Sequence, residues 1–283
     1  VYDVHDRLLS STIKNYSDEG LTAFVDAELV AYSNYDQFSN ARLQLVKTYA
    51  SAAIQDSTTL IDSKVIANEY DYTTPAASLG NAKRTTVSRY SVEVADPANP
   101  PADTDASFID RVITDNSLFN SLGNAGHQET HVWRMAGTTL TEVTKTVTDN
   151  LTFNTRGDAT SQHVWTYLID STVPTLVNYQ EVTGRVFDSS HNVTNQMVVT
   201  YNNDTASKVF LSAQEIRSSA FYSSGVAGHQ EIVTFTDAGM SVVLNAKIID
   251  NAGVHSNGNI DTVTIMTYST ATIANDPLYP GAN

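Results

Sequence analysis

The stretch QEVTGRVFDSSHNVTNQMVVTY, residues 180–201, reads as a strand, a tight polar turn and a second strand. Nearly the same pattern returns 34 residues later as QEIRSSAFYSSGVAGHQEIVTF, residues 214–235. A period of this size marks a repeat architecture, in which each unit buries its apolar face only against its neighbours. Working outward, strands that end in an aromatic residue occur as TIKNY to Tyr16, LVKTY to Tyr49, TVSRY to Tyr90, THVWR with Trp133, HVWTY to Tyr167, MVVTY to Tyr201, EIVTF to Phe235 and TIMTY to Tyr268. Their spacings are 33, 41, 43, 34, 34, 34 and 33 residues. The two long spacings hold polar, Pro-bearing insertions at 73–78 and 96–105, which loop positions accommodate without disturbing a framework.

A second column lies 14 residues before each aromatic end: Tyr35, Phe119, Phe153, Phe187 and Phe221, with Val254 in the last copy and Tyr70 in a copy carrying an insertion. Asp or Asn follows it at Asp36, Asp71, Asn120, Asn154 and Asp188. A small-residue pair then closes the turn, as Ser39-Asn40, Gly80-Asn81, Gly123-Asn124, Gly157-Asp158, His191-Asn192 and Gly258-Asn259. Each feature has a cause. The Asx side chain bonds to backbone two residues on, and Gly or Asn supplies the positive φ that a hairpin connection needs. The flanking runs alternate as strands do, with Met197, Val199 and Tyr201 on one face and Val198 and Thr200 on the other.

The expected fold is therefore all-β: tandem antiparallel hairpins, up to sixteen strands, forming an elongated, curled or sandwiched sheet. The alternative is a parallel β-solenoid with one copy per coil, which would stack Gln128, Gln162, Gln196 and Gln230 about 4.8 Å apart. Bulky Tyr, Phe and Trp columns suit a narrow solenoid interior poorly. Residues 1–16 form a degenerate first repeat or an N-terminal assembly segment; DVHDRLLSSTIKNY could run helical, but Ile13 and Tyr16 fit the repeat columns. Repeats with insertions span 17–133, regular repeats 134–270, and DPLYPGAN within 271–283 reads as linker or processed tail.

The turns set between aromatic-ended strands, Phe187-Asp188-Ser189-Ser190-His191-Asn192 and Tyr35-Asp36-Gln37-Phe38-Ser39-Asn40, resemble the YD repeats of the Rhs family and the long arrays of very large bacterial surface proteins. That resemblance implies a β-repeat shell or surface array. The period here is longer than that of the compact YD repeat, and the family's terminal aspartic-protease core and toxin are not found in this sequence.

Sixteen basic against 31 acidic residues give a net charge of −15, which repels phosphate backbones and anionic lipid, so nucleic acid and membrane insertion are not expected. With no cysteine, neither disulfide nor thiolate metal site can hold the chain. The opening VYDVHDRLLSS, without an initiator Met or a signal pattern, is expected of a processed, exported product.

No catalytic or metal site is expected. In HQETH, residues 127–131, the two histidines on one strand face lie about 13 Å apart, too far to share a zinc ion. Gln128 also replaces the Glu of the metalloprotease pattern. The Asp-rich turns at Asp36, Asp188 and 250–261 have ligands that Ca²⁺ favours, but no calcium-loop spacing supports a site, so no cofactor is expected.

The expected function is a non-enzymatic extracellular or cell-surface protein that joins copies of itself through sheet edges into a filament. The candidate assembly edge is the last strand, with Val263, Ile265 and Thr267 alternating and no charge after Asp261. The alternatives are a glycan-binding stalk that stacks sugar on Trp133, Trp165, Tyr72 and Tyr222, and a fragment of a Rhs-like shell.

Overall fold

The computed structural model describes residues 1–16, 21–22, 24–52, 54, 56–170, 173–255 and 258–269. The strands are β1 (Ser10–Tyr16), β2 (Phe24–Tyr35), β3 (Ala41–Tyr49), β4 (Leu60–Glu69), β5 (Arg84–Tyr90), β6 (Phe108–Phe119), β7 (Ala125–Ala136) and β8 (Thr139–Phe153). They continue as β9 (Ala159–Asp170), β10 (Val173–Phe187), β11 (Val193–Tyr201), β12 (Phe210–Phe221), β13 (Ala227–Phe235), β14 (Val243–Val254) and β15 (Ile260–Ser269). All fifteen hydrogen-bond in chain order in one open antiparallel sheet. The solenoid alternative is thereby set aside. In its place, glutamines of successive copies are separated by an intervening strand, and Gln128, Gln162 and Gln230 each donate sideways to the residue 12 positions earlier: Asn116 at 2.9 Å, Asn150 at 2.6 Å and Ser218 at 3.1 Å.

The aromatic ends of the strands coincide with a recurring irregularity. The register shifts immediately before Tyr16, Tyr49, Tyr90, Tyr201 and Phe235, so that Tyr49 pairs with Leu60, Tyr90 with Phe108, Tyr201 with Phe210 and Phe235 with Val243. One residue of the next strand is skipped each time: Val25, Ile61, Ile109, Leu211 and Leu244, of which the last four are exposed and Val25 is half-buried. Such a bulge re-aims the following side chain. Here Tyr49, Tyr90 and Phe235 are buried beside it.

The chain divides into two compact units, residues 1–148 with 167–175, and residues 149–166 with 176–283. In the first, the core gathers Leu45, Val65, Tyr90, Val94 and Phe108, with Ala31, Leu43, Met135 and Leu140 against it. Val94 comes from the loop that runs into the 96–105 insertion. It is buried over the sheet, its N–H donating to Ser63 Oγ at 3.3 Å, while neighbouring Glu93 binds Lys47 at 2.7 Å. The insertion at 73–78 forms a short helix, Pro75–Ser78, whose Ala76 and Ala77 are buried and whose Ala77 carbonyl accepts from Asn40 Nδ2 at 2.7 Å. The insertions thus leave the strand framework in place and also cover it.

In the second unit, Ala213, Val233, Phe235 and Ala246 form the core, with Val199, Phe210, Met240 and Val243 packed around it. Cross-strand pairs such as Val182 with Val198 and Ile216 with Ile232 hold its register.

Truncating the buried Leu45 to Ala should lower the stability of the first unit by about 2–5 kcal/mol. Leu244→Ala, at an exposed skipped position, should stay within about 0.5 kcal/mol of the parent. Urea denaturation followed by circular dichroism reads both, and equal effects would contradict this placement of the core.

Candidate functional site

The turns are the most regular local feature. In the turn from β10 to β11, Asp188 Oδ1 accepts the N–H groups of Ser190 and Asn192 at 2.8 and 2.9 Å, and Asn192 Nδ2 donates to Asp188 Oδ2 at 2.9 Å. Asp36 makes the same three bonds with Phe38 and Asn40. Asn154 accepts from Arg156 and Asp158, and Asn120 from Leu122 and Asn124. The backbone closes identically, as where His255 donates to the Asn259 carbonyl at 2.8 Å and Gly258 to the His255 carbonyl at 2.9 Å. This is the three-residue hairpin loop whose last residue is left-handed. That residue is Ser39, Gly123, Gly157, His191, Gly225 or Gly258, each with φ between +65° and +90°, while Gly80, also left-handed, instead follows the short helix Pro75–Ser78 and donates to the Ala77 carbonyl at 3.2 Å. In the inserted copy, Asp71 instead accepts from Thr73 N and Oγ1 at 2.9 and 2.6 Å, and Asn81 Nδ2 reaches the Gly123 carbonyl at 3.1 Å.

The aromatic columns end strands at Tyr35, Tyr49, Tyr90, Phe119, Phe153, Phe187, Tyr201, Phe221 and Phe235, while Trp133, Tyr167 and Tyr268 lie one to three residues inside β7, β9 and β15. Tyr35 donates to the Leu8 carbonyl beneath the Arg7 guanidinium, and Arg185 lies 5.0 Å from the Phe187 ring centroid. In the second unit, His163 meets Trp165 and Tyr179 edge to face, Trp165 tilts over Tyr179 and Tyr179 stacks on Tyr201, with centroids 5.2–6.1 Å apart, and Lys208 sits 4.1 Å from the Tyr201 ring. Trp165 is half-buried, and its indole N–H donates to Asp204 at 2.9 Å. Its polar handle and one flank are engaged within the protein. Burial, then the Glu181 carboxylate, pushes the Tyr179 hydroxyl well above its ordinary value, so it stays protonated.

The HQETH histidines face carboxylates. His131 Nδ1 lies 2.6 Å from Glu142, and Glu129 lies 3.4 Å from His131, 3.5 Å from His127 and 2.8 Å from Lys145. His229 lies 2.6 Å from Asp250 and 3.6 Å from Glu231, while His191 pairs with Asp158 and His255 with Asp261. His131 with Glu142 and His229 with Asp250 join neighbouring strands, whereas Glu129 and Glu231 lie two residues along the same strand from their histidines. Among the described residues, no three His, Asp or Glu converge to hold a metal ion.

Two glycines escape the sequence analysis although the identical pentapeptides AGHQE at 125–129 and 227–231 mark them. A Cβ on Gly126 would lie 2.9 Å from the Leu118 carbonyl oxygen, and one on Gly228 only 2.6 Å from that of Ala220. Leu118 and Ala220 are themselves left-handed, so the backbone bends toward its neighbour there and leaves no room for a side chain.

The last element is the edge. Among the described residues β14 is the only strand beside β15. Val263 is 48% exposed, Ile265 58% and Met266 39%, with Thr262, Thr264 and Thr267 exposed between them. Side chains on both faces of β15 are thus exposed, and among the described residues no strand pairs with its outer backbone. At the other end of the sheet, Val1 folds back on the start of β1, its ammonium donating to the Ser10 carbonyl at 2.8 Å and its carbonyl accepting from Leu9 at 2.7 Å.

No protein-family model matches the chain, and a search of curated proteins finds no significant relative.

Gly228→Ala should destabilise the second unit by about 1–3 kcal/mol, because the contact is with backbone that cannot rotate away. A melting temperature equal to the parent's would show that the β12–β13 approach relaxes freely. The turn carboxylates set a pH dependence. Hydrogen bonds from Asn192 hold Asp188 below its ordinary value, and those from His191 do the same for Asp158. Their contribution to stability is present above their unfolded value and lost as pH falls through the depressed folded one. Asp250 raises His229, whose contribution is complete below pH 6.5 and lost as pH rises past its folded value. The melting temperature should therefore peak in mildly acidic solution, and His229→Gln should flatten the decline on the alkaline side. A thermal-melt series against pH checks both limbs.

Proposed function

We propose that this protein is a non-enzymatic structural subunit of an extracellular or cell-surface filament, joined to copies of itself by hydrogen bonding at its sheet edges. The observation that carries the reading is β15, an edge strand with no charged residue from Thr262 to Ser269 and apolar side chains exposed on both faces. Sheet proteins ordinarily blunt such an edge with charge, proline, a bulge or a covering segment, because its free N–H and C=O groups template a further strand. From Thr262 to Ser269 β15 carries none of the first three; its one charge, Asp261, stands at the turn end of the strand. Its copies are suited to extend the ladder by the mode in which one strand augments another sheet. The repeated turns and ion-paired strand faces are consistent with a protein that works as a framework. The glycan-binding alternative has less support, since Trp165 already spends its N–H on Asp204 and packs on Tyr179.

Electron microscopy of the natively isolated material, with light scattering on the recombinant chain, tests this reading. Filaments or sheets with a constant subunit rise are expected. Monodisperse monomers in both preparations would overturn it.

A further inference from the structure

We infer that the partner of β15 is β15 of a second copy, paired antiparallel about a local two-fold axis centred on Ile265. The inference rests on the edge-assembly reading and specifies which edge meets which.

The hairpin between β14 and β15 decides which backbone groups are free. His255 closes the hairpin by donating its N–H to the Asn259 carbonyl at 2.8 Å, which makes theirs a hydrogen-bonded pair, and the register continues unshifted through Asn251 with Val263, Ile249 with Ile265 and Lys247 with Thr267. Hydrogen-bonded pairs alternate with non-bonded ones along an antiparallel ladder, so Val263, Ile265 and Thr267 bond to β14. The N–H and C=O groups of Thr262, Thr264, Met266 and Tyr268 then point outward. A two-fold centred on Ile265 sets Thr264 against Met266 and Thr262 against Tyr268 of the second copy, so outward groups meet outward groups. Ile265 meets Ile265 in the closer, non-hydrogen-bonded geometry, and Val263 meets Thr267.

Charge selects the same partner. On a chain of net charge −15, two copies approach with least repulsion where neither carries charge, and Thr262–Ser269 is such a segment on the sheet's own edge. In this register Asp261 falls opposite Ser269 and far from its own counterpart. β1 is the poorer acceptor. Its start is occupied by the backbone of Val1, and it carries Lys14. The two-fold pair also reproduces the antiparallel sense of the β11–β15 ladders.

The absence of cysteine allows a clean test on the full-length chain. Ile265→Cys places one thiol at the axis, where it faces its own copy within disulfide reach after a small adjustment. Val209→Cys, at an exposed site outside the strands, reports random collision. Under mild oxidation at about 10 µM protein, Ile265→Cys should form the covalent dimer about a hundredfold faster than Val209→Cys, because an associated pair holds its thiols at an effective concentration of about 1 mM. Thr264→Pro in the Ile265→Cys background removes an outward N–H without breaking the β14 ladder, and should bring that rate down to the control. Equal rates for the two single-cysteine variants would overturn the proposal. So would cross-linking that appears only when Thr12→Cys on β1 is added. Filaments seen without the Ile265 cross-link would leave the assembly reading standing and remove this interface; dimers that never extend would do the reverse.

Discussion

The structure depends on one small interaction, an Asx side chain that accepts two backbone N–H groups across a three-residue loop whose last residue is left-handed. Asp36, Asn120, Asn154 and Asp188 all make it. A hairpin's register follows from its turn, and one residue of slip would send every side chain to the opposite face. With the turn repeated, each aromatic column stays in line and each strand meets the same neighbour. Where the Asx residue is missing, as at Tyr222 and His255, the same backbone bonds still close around Gly225 and Gly258. The left-handed residue is thus the part of the turn common to every copy.

A long antiparallel sheet has little interior, and this chain meets that constraint differently in its two units. In the first, the Pro-bearing insertions bring Val94, Ala76 and Ala77 onto the sheet, and Tyr49 and Tyr90 become inaccessible to solvent. The second has no comparable insertion; its core cluster is Ala213, Val233, Phe235 and Ala246, and Tyr179, Val182, Val198, Ala227 and Val254 are buried outside it. Elsewhere its faces carry paired charges and amide ladders, which tolerate water. An aliphatic residue nonetheless stands exposed at Ile109, Val177, Leu211 and Leu244, the last three 33 or 34 residues apart. At Ile109, Leu211 and Leu244 the bulge explains this, since the skipped residue has no cross-strand partner to cover it.

The edge follows from the same economy. Interior strands satisfy their backbone on both sides, whereas β15 satisfies one side only among the described residues. An exposed Ile265 beside free amides is a poor terminus for an isolated molecule and a serviceable joint between copies. The proposed two-fold register makes the strand its own complement and joins copies in pairs; extending such pairs into a filament takes a second joint elsewhere on the chain.

The sequence by itself determined the all-β class, the repeat period and the turn residues. These signals are local: an Asx–Gly turn and an alternating strand report their conformation within five to ten residues, whatever surrounds them. Only the tertiary structure decided what lies across from what. The bulge before Tyr49 or Tyr201, the narrow approach at Gly228, the engagement of Trp165 by Asp204 and the pairing of His229 with Asp250 join residues of different strands. Each depends on strand order and stagger, which composition and period leave open. The choice between antiparallel ladder and solenoid was open for the same reason, because a 34-residue period fits either until the partners of Gln128 and Gln162 are known. Asn116 and Asn150, one strand back, are those partners, and they belong to the hairpin.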